Sequence, residues 1–470
     1  MRGRAPGAVA TVLVALVLAG TVAALDPLAA GTDVAATRFH ELAAGAPLPA
    51  LLPGDELVLT PGHHAGPWRI DVPNVTLRAA PGARLDGDGR GSALTLAAPG
   101  ITVVGLEVRG VGPDGDLYAP DAAFRLDGCH GCRLLDVRAG AFADGVSAAL
   151  WVEASEGVRV AGLRATGSGA GPGVTSYEAP GLTLEDVRLT GFLDGLYLER
   201  SDGLLVRSAE LIGSGRYGVH LMFNRSARLE DVRAVDGGVG SAVMYGRDTV
   251  LRDVVFEGHA GPMAFGLLVQ EERDALVERA TLRGNTIGLL AVAAPGLVLR
   301  GADFDANGFG AVLQRLPAAF DSGDPELETA LTVEASRFRR NAFDVALDDD
   351  RAAVTLQGNA FDRAAPLDLD GDGTLDAPFV AGTSLAALAA RVPDVSLLAF
   401  GPAMVLWEAF EARVPGARFG MLVDHAPRAE SVERSEHATL TWLLLLLPLA
   451  GSAWALRPTW TPARRRGDEP

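Results

Sequence analysis

The sequence contains no lysine, so all 41 basic residues are arginine. That excludes Schiff-base chemistry and a lysine general base. Aromatic platforms are scarce as well, with five tyrosines and six tryptophans in 470 residues. No Gly-x-Ser-x-Gly elbow occurs, and the eight histidines are scattered, so nucleophilic catalysis has little to build on. Positive charge is in deficit: 59 acidic residues leave a formal net charge of −18. A field of that sign argues against a nucleic-acid partner and favours cations and basic protein surfaces. Within the central part of the chain no apolar run is long enough to be a helix.

What the chain has is glycine, 57 residues of it, and a repeat. A glycine opens a short apolar run at Gly195, Gly218, Gly240, Gly266, Gly288 and Gly310, spaced by 22 to 26 residues. Each run is followed by two more of three to five residues, several alternating apolar with polar, with Gly, Asp, Asn or Ser between them. Three short strands in a unit of about 22 residues predict an all-β chain, a right-handed parallel β-helix whose rungs pair only with their neighbours. The repeat signals span residues 51–365. At ~4.8 Å per turn, thirteen or fourteen turns make a rod of about 60–70 Å.

The ends differ from the middle. Residues 1–24 carry two arginines, a short apolar stretch and small residues near Ala24, the pattern of a secretory signal. Residues 25–50 read as an N-terminal cap, with a short helix expected over 36–44. After the rod, residues 366–425 hold an acidic loop and two amphipathic segments, expected as helices over 385–391 and 403–413. A polar linker, 426–437, leads to an uncharged stretch, 438–456, long enough to span a bilayer, and to a basic tail, 457–470. The chain is therefore expected outside the cytoplasm, anchored by a C-terminal transmembrane helix.

Three constellations could carry chemistry. In residues 218–223, alternation puts Val219, Leu221 and Phe223 on one face and His220 and Met222 on the other. Twenty-two residues later Met244 falls in register with Met222. With the aliphatic residues inward, His220, Met222 and Met244 point outward and stack. Tyr197 and Glu199 then lie on the rung before, Gln270 on the rung after, and Met263 in a loop between. Thioethers with an imidazole suit Cu(I). The other reading makes the methionines core and His220 an ordinary surface histidine. Second, Asp368, Asp370, Asp372 and Asp376 occupy positions 1, 3, 5 and 9 of an EF-hand-like loop with Gly373 at position 6. Position 12 is Phe379 in place of the bidentate Glu, so a weakened calcium site and a plain acidic turn both fit. Third, Cys129 and Cys132 frame a tight turn. A disulfide, inert packing thiols and a soft-metal site all fit. Asp186, Asp194 and Glu199 are the carboxylates that a polysaccharide-cleaving β-helix would need, although acidic turn residues occur throughout.

Residues 216–223 (RYGVHLMF), followed by 242–245 (AVMY) and 266–271 (GLLVQE), resemble the NosD family, the extracytoplasmic β-helix proteins of nitrous oxide reductase maturation. Residues 368–379, and Gly401-Pro402-Ala403 ahead of a terminal helix, are similar to late motifs of that family. The resemblance implies a non-enzymatic accessory protein for copper-site assembly. Its implied partners are an ABC transporter permease and ATPase, a lipoprotein copper chaperone and the apo-reductase, and its cargo is Cu(I). It makes His220, Met222 and Met244 the expected soft ligands, with Arg216, Tyr217, Tyr245 and Gln270 shaping the surface around them. The membrane span and the two cysteines depart from the family pattern. The alternative function is an extracytoplasmic carbohydrate-binding or polysaccharide-cleaving β-helix.

Overall fold

A computed structural model of the chain describes residues 38–429, except 114–118, 141, 143–144, 263, 317–324, 393–400, 402–405, 408–409 and 412–420. The signal segment, residues 430–437 of the linker, the expected membrane helix over 438–456 and most of the expected helix over 403–413 lie outside the described residues. Among the described residues, no helix is long and apolar enough to cross a membrane.

The described chain is an all-β parallel β-helix. Fourteen strands stack into one sheet. Thirteen of them run parallel from Trp68–Ile70 to Phe379–Gly382, and Leu422–Asp424 closes the end antiparallel. The remaining strands form the other faces of the coil, mostly two per rung, merged into single long strands at Thr183–Thr190, Leu205–Ile212 and Arg228–Val235. The three strand segments expected per turn are therefore present.

Alternation explains the core. Leu198, Leu221, Val243, Val269 and Ala291 stack in register on successive rungs, and all are buried. Rings stack likewise toward the C-terminal end, where Phe304, Phe338, Phe361 and Phe379 follow one another at centroid distances of 4.5, 5.1 and 4.3 Å. The recurring glycine has a specific cause. A Cβ on Gly195, Gly218, Gly240, Gly266 or Gly288 would lie only 2.4–2.9 Å from the carbonyl oxygen of the equivalent glycine one rung on. The coil bends so tightly at this column that a side chain has no room.

Buried polar ladders run beside the apolar columns. Asn285, Asn307 and Asn341 each accept a backbone N–H from the preceding rung at 3.0 Å. Their amides donate back to the carbonyls of Phe256, Leu282 and Phe304. The turns are satisfied inside the coil, as buried amides must be. A long-range contact ends a similar column: the buried Asp424 accepts both the backbone and side-chain N–H of Asn359 at 2.9 Å.

The helix expected near the N-terminus is not formed. Phe39–Leu42 is a strand that pairs in parallel with Glu56–Leu59 and opens the first rung. Leu42 enters the core, and Arg38 and His40 hold Asp55 across the pair at 2.7 and 3.1 Å. Four residues carry too little periodicity to tell strand from helix, and pairing with the next rung decides it. The later helix is Ser384–Arg391, with Thr383 as N-cap, packed through Leu385, Ala386 and Ala389 against the outer face of Phe343–Asp348.

Candidate functional site

The 22-residue step stacks Met222 on Met244, which in turn sits on Gln270. Both methionines lie partly buried on the outer face of the fourteen-stranded sheet, Met244 against an outer apolar cluster. Val219 and Leu221, between these outward positions, belong to the main core. His220 also points out of the coil, in register with Tyr197 on one side and Ala242 on the other. It is nonetheless only 7% exposed, because Tyr197 packs edge-on at 5.0 Å and Tyr217 tilts over it at 4.4 Å. Neither ring nitrogen of His220 has a hydrogen-bond partner among the described residues. The Tyr197 hydroxyl donates to Glu199 at 2.7 Å and lies 3.5 Å from the Met222 sulfur.

Asp194 organises this corner. Its carboxylate, 1% exposed, accepts from the Arg216 guanidinium in a two-point contact, with Nε at 2.8 Å, and from the Tyr217 backbone N–H at 3.2 Å. Burial works against its charge, but Arg216, with His220 3.8 Å away, keeps the carboxyl below its ordinary value. The Arg216 guanidinium also lies over the Tyr217 ring. Burial raises the Tyr197 hydroxyl above its ordinary value, and the bond to Glu199 adds to the shift, so it stays protonated as a donor. Trp151, Tyr177 and Tyr197 wall a pocket of about 130 Å³ beside this pair.

Of the residues expected around the donors, Arg216 and Tyr217 stand at the His220 side. Tyr245 and Gln270 stand at the Met244 side, joined by a hydrogen bond of 3.0 Å from the Gln270 amide. Phe223 departs from the expected alternation. Its strand ends at Met222, its φ of +55° turns the chain, and the ring swings out, 41% exposed and stacked on Tyr245 at 5.1 Å. Met263 lies outside the described residues. Asp194 was not separable in the sequence from the many acidic turn residues. What sets it apart is burial, which appears only when the rungs are stacked.

The other constellations are remote from this patch in the fold. Cys129 and Cys132 form a disulfide and are fully buried within the core, so their sulfurs offer no exposed ligand. Ligand atoms of Asp368, Asp370 and Asp372 converge within 4.8 Å of one another. Asp376 does not join them, since its carboxylate accepts the Leu369 N–H at 2.6 Å. Asp368 also caps the N–H groups of Gly371 and Gly373. Asp186 stands on a different sheet, paired with Arg164.

Fold and site together define a parallel β-helix with two thioethers and a tyrosine-covered imidazole on one outer face. Residues 152–317, which include all three donors, match the family model described as periplasmic copper-binding protein, NosD. The chain is NosD-like over this stretch. A protein of Pseudomonas aeruginosa named probable ABC transporter binding protein NosD is 37% identical over 112 residues, 23% of this chain and 24% of that one. The match thus spans about a quarter of the curated relative. Solved structures to which the chain shows some likeness include the mannuronan C-5 epimerase AlgE4 A-module of Azotobacter vinelandii, at 14% identity, TM-score 0.42 and 65% and 86% coverage of the two chains. A PL6 alginate lyase matches at 12% identity, TM-score 0.41 and 69% and 85% coverage. Likeness at this level adds nothing about chemistry.

Proposed function

We propose that the chain is an extracytoplasmic accessory protein, not an enzyme, that takes up Cu(I) at His220, Met222 and Met244 and passes it on. The observation that carries this reading is the buried His220 imidazole, with no hydrogen bond on either nitrogen and only the Asp194 carboxylate 3.8 Å from Nδ1, on the same outer face as a thioether pair stacked by the rung register. A buried polar group without a partner costs roughly 1–3 kcal/mol, and a soft cation approaching from the surface would remove that cost. Imidazole and thioether are the donor types that select Cu(I) over hard cations. Met222 and Met244 are only partly buried, so a partner's ligand can approach the bound ion from the solvent side, while Asp194 and Arg216 fix Tyr217 over the imidazole.

The likeness to NosD supports the finer parts of the proposal. These are a role in equipping nitrous oxide reductase with copper, an ABC transporter permease and ATPase as membrane partners, and a lipoprotein chaperone as the copper source. Export by residues 1–24 and anchoring by residues 438–456 belong to the same proposal. The test is competition of the full-length chain with a Cu(I) chelator under anaerobic, reducing conditions. The expected result is a Cu(I) affinity at least about tenfold lower for the Met222→Leu/Met244→Leu variant. Equal affinities would remove these sulfurs as ligands.

Calcium at Asp368, Asp370 and Asp372 is proposed as a structural ion, because three converging carboxylates repel one another until a cation neutralises them. Millimolar calcium is then expected to raise the unfolding temperature of the wild type, and of Asp370→Asn much less. No shift in the wild type would make the loop a plain acidic turn. The carbohydrate reading has the aromatic pocket at Trp151, Tyr177 and Tyr197 in its favour. Its two carboxylates are already engaged, Asp194 by Arg216 and Glu199 by Arg200 and Tyr197, which leaves no free acid–base pair there.

A further inference from the structure

Many arginines on the coil's other faces are paired across rungs. Arg78 meets Glu56 at 2.7 Å, Arg207 meets Glu230 at 2.9 Å, and Arg252 meets Glu278 at 2.8 Å, each pair bridging neighbouring rungs. Arginines also stack in columns: Arg138, Arg164 and Arg188 are in register on three successive rungs, where Arg164 meets Asp186 and Arg188 meets Glu210. A second column is less well paired. In the turn that follows the donor strands, Arg225, Arg247 and Arg273 stand in register on three successive rungs. Like charges stacked about 4.8 Å apart destabilise a sheet. Little offsets them. The Arg225 side chain makes no hydrogen bond or ion pair with a described residue. Arg247 faces Asp248 at 3.8 Å with both side chains more than half exposed. Among the described residues Arg273 reaches only Glu326, at 3.5 Å, whose side chain is 76% exposed. Exposed contacts of this kind contribute little. Carboxylates are not in short supply in a chain with a net charge of −18.

The column has a defined place. Each of these arginines comes three residues after a member of the outer donor column, Met222, Met244 or Gln270. Between the two columns Phe223 and Tyr245 stack, and an open cleft of about 620 Å³ runs along them. Arginine suits the recognition of carboxylates because its planar fork binds both oxygens.

We propose that the Arg225–Arg247–Arg273 column is the docking surface for an extended, carboxylate-bearing segment of a partner protein, which it holds beside Met222 and Met244. The inference rests on the copper reading for its purpose, and on the weakly paired arginine column for its chemistry. The surface is a cleft, which a flat lipid surface does not enter. It is also edged by Asp202 and Glu271, which repel a polymer charged at every unit. A polypeptide with spaced acidic side chains meets the three guanidinium groups, avoids those carboxylates and places apolar atoms on the Phe223–Tyr245 stack.

The probe is a fluorescein-labelled peptide of alternating glutamate and alanine, titrated against the full-length chain at low salt. The wild type is expected to bind it, more weakly as salt rises. The triple variant Arg225→Ser/Arg247→Ser/Arg273→Ser is expected to bind at least about tenfold more weakly. Its unfolding temperature should equal or exceed that of the wild type, since the repulsion is gone, and its Cu(I) affinity should be unchanged. Should the triple variant misfold, Arg247→Glu is expected to lose the acidic peptide and gain affinity for a lysine–alanine peptide. Wild-type binding of the peptide that the arginine substitutions leave intact would overturn the proposal. So would loss, in the same variants, of binding to phosphatidylglycerol vesicles or polygalacturonate in place of the peptide. A chain that binds the peptide through these arginines but holds no Cu(I) would remove the copper reading and leave the docking surface standing.

Discussion

Gly240→Val is expected to lose most of the stability of the central coil. A Cβ at this position would lie 2.4 Å from the Gly266 carbonyl oxygen, 2.8 Å from the Phe256 Cβ and 2.9 Å from the His259 ring. The obstacle is largely the backbone of the next rung, which cannot rotate away as a side chain tip can. Inserting bulk into a packed interior costs about 1–3 kcal/mol and more where nothing can move, so about 3 kcal/mol or more is expected here. In a solenoid each rung is held by its neighbours, and parting two of them uncouples the halves of the rod. Urea unfolding followed by circular dichroism reads the effect. Gly203→Ala is the informative contrast. That glycine sits in open space at a φ of +68°, so only the left-handed backbone resists, by about 1–2 kcal/mol. Similar midpoints for Gly240→Val and wild type would mean that the glycine column does not set the closeness of the rungs.

The second large effect concerns pH. Glu272 is 1% exposed in the turn beneath Gly246, and one of its oxygens has no partner. Burial pushes its carboxyl up to about 7, against the pull of nearby backbone N–H groups, from an ordinary value of 4.5. The folded state thus holds a proton that the unfolded chain releases earlier. The stability this group contributes is complete below pH 4.5 and is lost as pH rises through 7. Each pH unit between the two values is worth about 1.4 kcal/mol, so the whole contribution is on the order of 3 kcal/mol. Glu272→Gln is expected to match the wild type near pH 4.5, to exceed it by that order at pH 8, and to unfold with a flatter pH profile. Urea midpoints at pH 5, 6.5 and 8 for both proteins measure it. Parallel profiles would show that Glu272 is ionised in the native state without penalty.

The rod was legible because its tightest contact is written in residue type. Glycine recurs where the next rung's carbonyl leaves no room for Cβ, and the interval between Gly218 and Gly240 is also the interval between Met222 and Met244. Anything tied to that period could be placed in advance, including the thioether stack and the neighbouring Gln270. What escaped depends on contacts that ignore the period. The Phe39–Leu42 strand is too short to show its own type and is fixed by Glu56–Leu59. The Leu422–Asp424 strand returns across 65 residues to satisfy Asn359. Phe223 was expected inside, but the strand ended one residue earlier and a left-handed corner turned it out. His220 was expected as an open ligand. Tyr197 and Tyr217 cover it from the two sides, and that packing follows from the buried Asp194–Arg216 pair, which looks in sequence like any other acidic turn beside an arginine.

On the proposed function, His220, Met222 and Met244 together hold Cu(I). X-ray absorption at the copper edge of the full-length chain, loaded anaerobically with one equivalent of Cu(I), tests it most directly. The expected first shell is sulfur with one imidazole nitrogen, losing its sulfur scattering in Met222→Leu/Met244→Leu and its imidazole signature in His220→Ala. A first shell of oxygen and nitrogen only, or a spectrum the same in all three proteins, would contradict it.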